Sequence, residues 1–161
     1  MKRQLTRTIF ILLSVGALWI ALAPAAQAGS CSQAQAAGQW GFSYSGTVLT
    51  PSAAIPIASA GRFYNDSSGN VSGTETVNLG GNASDDVIKG KLTVASNCTF
   101  VLVANVYQNG QKVRTSTIDG VYLSNLTEVK AVFRSATLPD GTNLPVVITI
   151  DGNRQFTPDE E

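Results

Sequence analysis

Glu75 carries the clearest chemical signal in this chain, because apolar residues flank it at strand spacing. Along residues 71–79, Val71, Gly73, Glu75, Val77 and Leu79 share one face of an alternating run, while Ser72, Thr74, Thr76 and Asn78 share the other. If the first face is the core, an inward carboxyl follows. Burial raises its pKa and suits it to moving a proton or to anchoring a ligand's polar group, unless a basic partner holds it ionised. Arg62 and Arg114 are the candidate partners. A structural ion pair, or a solvated Glu75 with Ser, Thr and Asn facing inward, is the plainer outcome. Asp119, beside Gly120, poses the same question more weakly, since a glycine within a strand marks a bulge or turn.

A second pattern supplies a wall. Trp40, Phe42 and Tyr44 alternate with Gly41, Ser43 and Ser45, so one face of that strand is aromatic. Small-molecule sites combine such an apolar wall with a few placed polar groups, and Glu75 or Arg62 would be the anchor. In a solidly packed interior the same three rings are core.

The remaining chemistry is narrowed by what the chain lacks. It holds no histidine, which removes a Ser-His-Asp hydrolase and leaves no imidazole to activate a thiol. With two cysteines far apart and no calcium-loop pattern, no metal site is expected. No P-loop, G-x-S-x-G, H-E-x-x-H or dinucleotide fingerprint occurs, so no cofactor is expected either.

The elements that must position these residues read as all-β. Short runs rich in Val, Ile, Thr, Phe and Tyr occupy residues 40–49, 58–64, 71–79, 87–94, 99–107, 113–123, 128–136 and 146–151. Ser68-Gly69-Asn70, Gly80-Gly81-Asn82 and Asn109-Gly110 separate some of them with residues that tolerate positive φ, as tight hairpins demand. Consecutive strands are thus antiparallel neighbours. Eight strands in hairpin succession predict a small up-and-down barrel, with a two-sheet sandwich as the alternative. The loop 50–56, bracketed by Pro51 and Pro56, reads as a stiff connection or a flap over one barrel end. Ser32 is placed to cap a short helical turn over residues 32–37, which Gly38 stops.

Residues 1–28 have the form of a bacterial secretory signal peptide. Lys2, Arg3 and Arg7 precede an apolar run over residues 9–22, and Ala26-Gln27-Ala28 is a small-x-small cleavage site. The apolar run is shorter than the roughly 20 residues a membrane span needs and leads into Pro24, so no retained anchor is expected. Lipid attachment at Cys31, after Ala28-Gly29-Ser30, is a weaker alternative. Residues 29–151 then form a single domain and residues 152–161 an acidic mobile tail. Removing the three basic leader residues from 11 Lys+Arg leaves 8 against 11 Asp+Glu, a formal charge of −3 that argues against a nucleic-acid partner. Cys31 and Cys98, an even count in an exported chain, predict one disulfide. The N-x-[ST] triplets at Asn65, Asn70, Asn82, Asn97 and Asn125 are ordinary for an Asn/Ser/Thr-rich β-protein behind a bacterial leader.

The segments Gly38-Gln39-Trp40-Gly41-Phe42-Ser43, Ser45-Gly46-Thr47-Val48, Gly61-Arg62-Phe63, residues 69–76 and Asn97-Cys98-Thr99 resemble a group of small exported bacterial β-proteins of unassigned function. Those motifs are turns and strand edges, so the resemblance implies a fold. The strand count also resembles lipocalin-like and allene-oxide-cyclase-like barrels, which bind or cyclise hydrophobic small molecules, and Gly38-Gln39-Trp40 loosely echoes the lipocalin G-x-W. The expectation is an exported periplasmic or extracellular barrel, non-enzymatic, that binds an apolar or amphipathic small molecule through Trp40, Phe42, Tyr44, Arg62 and Glu75. A cyclase or isomerase using Glu75, and a structural or adhesive cell-envelope protein, are the alternatives.

Overall fold

Three tight turns fold the middle of the chain back on itself. In the computed structural model, which describes residues 30–155, Gly69 takes φ 84°, Gly80 and Gly81 take 59° and 95°, and Asn109 and Gly110 take 52° and 79°. Positive φ at both central residues gives the turn a twist that matches the flanking strands, and Asn-Gly supplies it at little cost.

The strands these turns connect are β1 (Gly38–Leu49), β2 (Ala54–Asn65), β3 (Asn70–Leu79), β4 (Asn82–Val94), β5 (Thr99–Gln108), β6 (Gln111–Leu123), β7 (Glu128–Thr137), a two-residue β8 (Asn143–Leu144) and β9 (Val146–Arg154). Each of β1 to β7 pairs antiparallel with the next, β7 also pairs with β9, and β9 returns to β1. The ring of eight is therefore closed, and β8 only supplements β7. Closure leaves no open edge among these eight strands, and it decides for the barrel over the sandwich.

Alternation sets what faces the bore. Trp40, Tyr44, Val48, Val71, Ile88, Leu92, Leu102 and Ile118 are buried, while intervening residues such as Ser43, Thr74, Lys89, Lys91 and Thr93 are exposed. Apolar inside and largely polar outside is the inverse of the pattern a lipid-facing barrel requires. Where two inward side chains compete for space, one is small. A Cβ added at Gly120 would lie 2.3 Å from the Phe100 ring and 2.7 Å from Ala131 Cβ. Gly120→Ala is expected to cost about 1–3 kcal/mol through overpacking, seen as a lower denaturant midpoint at unchanged slope.

One end of the bore is plugged. Helix α1 (Gln33–Ala36) begins at Ser32, whose side chain accepts from Gln35 N, and its C-terminal carbonyls are gathered by the barrel. Ala36 O accepts from Trp40 Nε1 at 3.1 Å and from Asn65 Nδ2 at 3.0 Å, and Arg154 donates to Gln35 O and Ala37 O. These bonds satisfy acceptors that a helix end leaves open. Cys31 is disulfide-bonded to Cys98, 67 positions away at the turn before β5, and so ties the plug to the wall. Replacing both cysteines by serine is expected to cost on the order of 2–4 kcal/mol, measured by chemical denaturation.

Two boundaries differ from the sequence reading. The loop 50–56 is not a flap: β2 already starts at Ala54, pairing with Leu49, and Pro56 O accepts from Gly80 N at 2.9 Å where β3 has ended. A proline is tolerated there because little of the ladder needs its missing N–H. The 152–161 tail begins later, since Gly152, Asn153 and Arg154 pair with β1 and Gln155 N donates to Gln39 O. The segment expected to be a signal peptide, residues 1–28, and residues 156–161 lie outside the described residues.

Candidate functional site

Within the bore, polar side chains converge from five strands. Arg114 of β6 reaches across to β3 and β1: its Nη2 lies 2.6 Å from Glu75 Oε1 and donates to Tyr44 Oη at 3.0 Å. Ser59 of β2 donates to the other Glu75 oxygen at 2.9 Å. Asp86 of β4 stands 3.9 Å from Arg114 Nη1 and accepts from Ser84 at 3.3 Å. The cluster follows from register: Tyr44 opposes Ser59, and Glu75 opposes both Gly61 and Asp86. Gly61 leaves the space into which Phe42 and Glu75 close, at 2.8 Å from where a Cβ would sit.

Two carboxylates therefore share one guanidinium in a place nearly out of water, with Glu75 and Asp86 each 4% exposed. Burial pushes the Glu75 carboxyl above its usual range, and Arg114 opposes that only in part. The Tyr44 hydroxyl is pushed up to about 12 by burial, and burial raises that of Tyr122 as well. Since the ordinary tyrosine value is 10.0, the native state holds protons that the unfolded chain releases between pH 10.0 and about 12. The tyrosines' share of the stability is whole below pH 10 and falls as pH climbs through that window. A phenolate absorbance titration is expected to show Tyr44 and Tyr122 ionising above the ordinary tyrosine range, and only as the barrel opens.

On the plug side of the cluster the bore holds a cavity of about 60 Å³, walled mainly by apolar side chains including Phe42, Phe63, Leu102, Val106, Ile118 and Phe133. That is room for several waters, each needing roughly 10–15 Å³, and far less than the ~300 Å³ at which drug-sized clefts begin. Tyr44, Glu75, Arg114 and Ser116 contribute its polar edge. On two of its lining residues, Arg114 Nε and Ser116 Oγ are buried without a partner among the described residues.

The sequence-predicted residues separate cleanly. Phe42, Tyr44 and Glu75 line the cavity, and Arg114 is the partner of Glu75. Arg62 is a correction: it is exposed on the outer face of β2, because Gly61 and Phe63 beside it take the inward positions. Trp40 also lies off the cavity wall, fully buried, with its indole N–H spent on Ala36 O. Asp119 points outward and pairs with Arg134. Sequence reasoning missed Ser59, Asp86 and Ser116. Asp86 was the findable one, since it alternates with Ile88, Gly90 and Leu92.

Among the described residues no cluster of metal-ligating side chains occurs, and no helix is long and apolar enough to cross a membrane. No family model matches the chain, and no curated protein matches it. Among solved structures, EF1p2_mFAP2b bound to DFHBI is similar with a TM-score of 0.54 and 13% identity, over 78% of this chain and 100% of that one. The S-type phycobiliprotein lyase CPES from Guillardia theta gives a TM-score of 0.45 and 9% identity, over 78% of this chain and 91% of that one. At such identity the first likeness is one of fold.

Proposed function

We propose that this chain is an exported, non-enzymatic barrel that binds a small molecule with an apolar body inside its bore. The observation that carries the reading is the cavity itself: apolar walls closed on one side by a buried polar cluster with two atoms left unpaired. A fully packed structural barrel gains nothing from burying such groups, since each unpaired one costs about 1–3 kcal/mol. The similar barrel that is bound to DFHBI supports the reading as an analogy of fold. Export is supported by the leader sequence and by the disulfide, a bond that persists in oxidising compartments.

Glu75 acts in this reading by holding Arg114 at the edge of the cavity. Both its oxygens are engaged, one by Arg114 and one by Ser59, which leaves it poorly placed as a free base.

Native mass spectrometry on protein purified from its producing host tests the proposal, alongside an Ala104→Leu variant that fills the cavity from β5. The expected result is a bound small molecule that is lost on unfolding and absent from the variant. A bare chain, or an adduct that the variant keeps, would overturn it.

A further inference from the structure

The barrel's outer face holds an open groove of about 440 Å³, where Gln39, Tyr64, Ser72 and Lys89 stand side by side across β1 to β4. Its lining carries two cations, Arg62 and Lys89, and no acid. Both are exposed, and among the described residues neither is in an ion pair. From residue 29 onward the chain carries 8 Lys+Arg against 11 Asp+Glu, so this face is opposite in sign to the net charge. Tyr64, in the same row as Lys89, is 49% exposed. Such a lining suits a partner that brings negative charge and an apolar ring.

The chain itself leads into this groove. Gln155 is one of its lining residues, and its backbone N–H donates to Gln39 O at 2.9 Å. The residues that follow are Phe156-Thr157-Pro158-Asp159-Glu160-Glu161, one aromatic ring and then three acids. Reach and span agree. From the β9 side of β1 to β4 is four strand spacings, about 19 Å, and six extended residues cover about 20 Å. The three acids, at the far end of that length, come to the part of the groove that Arg62 and Lys89 flank. A single exposed ion pair is weak, but a short tether makes the contact intramolecular, with an effective concentration of about millimolar.

We infer that residues 156–161 dock in this groove as an acidic strap across β1 to β4. Arg62 and Lys89 meet the acids, and the Tyr64 ring takes Phe156. Docked, the strap covers the two cations against any external anion. The contact is separate from whatever the bore binds.

NMR on the disulfide-bonded chain through Glu161 tests it. Nuclear Overhauser contacts are expected between the rings of Phe156 and Tyr64. Neutralising the acids, by Asp159→Asn, Glu160→Gln and Glu161→Gln together, is expected to move the amide signals of Ser72, Thr74 and Lys89. That of Val132, outward on β7, is expected to stay. Raising salt from about 0.01 M to about 1 M shortens the screening length from ~30 Å to ~3 Å and is expected to bring the parent's groove signals to the variant's positions. Arg62→Glu with Lys89→Glu is expected to abolish the ring contact, and adding Asp159→Lys, Glu160→Lys and Glu161→Lys to restore it. Groove signals that ignore the neutralised acids, or a ring contact that survives reversal of both cations, would overturn the docking. Groove shifts that grow with protein concentration would put the segment on a second copy and overturn the intramolecular strap.

Discussion

Arg114→Met is expected to destabilise the barrel by about 3–5 kcal/mol at neutral pH, the cost of leaving buried charges without their counter-ion. Glu75 loses its ion pair, Asp86 loses the cation that stands 3.9 Å from it, and Tyr44 loses a donor. The methionine stem keeps much of the volume, so the loss is chiefly electrostatic. Its pH dependence separates this account from lost packing. Without Arg114, the folded pKa of Glu75 rises still further above its unfolded value, so the native state binds more protons than the unfolded chain over a wider range. The variant is then most stable below about pH 4, where both states hold the proton, and loses ground as pH rises. Denaturation midpoints from acid to neutral pH are expected to converge with the parent at the acid end. A pH-independent gap would mean that Arg114 matters only as packing. Adding Glu75→Gln to Arg114→Met is expected to restore part of the loss, giving a coupling energy in the double-mutant cycle.

Trp40→Ala is expected to cost a similar ~3–5 kcal/mol by a different route. The indole is fully buried under helix α1, stacked 6.5 Å from Phe63 and tilted 5.4 Å from Tyr122. Truncation leaves a void that the disulfide-tied plug and the closed wall cannot collapse around, which is the costly case for a cavity. Trp40→Phe separates packing from hydrogen bonding. It retains most of the ring volume and removes the N–H to Ala36 O, which Asn65 still satisfies. The phenylalanine variant is therefore expected to lose only about 1–2 kcal/mol by thermal or chemical denaturation. A loss as large as that of the alanine variant would show that the indole N–H, not its bulk, secures the plug.

Much of the fold was legible because turns and alternation agree. Asn109-Gly110 and Gly80-Gly81 set hairpins, and runs such as residues 40–45 alternate without interruption, so all eight barrel strands overlap the sequence reading. Closure was not legible, since the pairing of β9 with β1 joins opposite ends of the domain and leaves no local signal. The start of β4 was lost for an instructive reason. Ser84, Asp85 and Asp86 look like loop, yet Ser84 and Asp86 point inward to a polar cluster that an apolar-pattern search cannot anticipate. Glu75 stood out because its neighbours are apolar, whereas Ser116 was hidden between Thr115 and Thr117, where nothing in the alternation marks the inward member. Arg62 misled because charge alone suggested a partner for Glu75, and only the strand parity fixed by Gly61 and Phe63 sends it outside.

The central claim is that the ligand enters the bore, and strand β5 offers its own control. Leu102 and Val106 face the cavity while Val101 and Val103 between and beside them face solvent. Methyl-resolved NMR during titration with xenon, an apolar probe small enough for a cavity of about 60 Å³, reads both sets in one experiment. The account predicts saturable shifts for Leu102, Val106 and Ile118, with Val101 and Val103 unmoved. Shifts confined to the outward valines, or no saturable shift in either set, would contradict it.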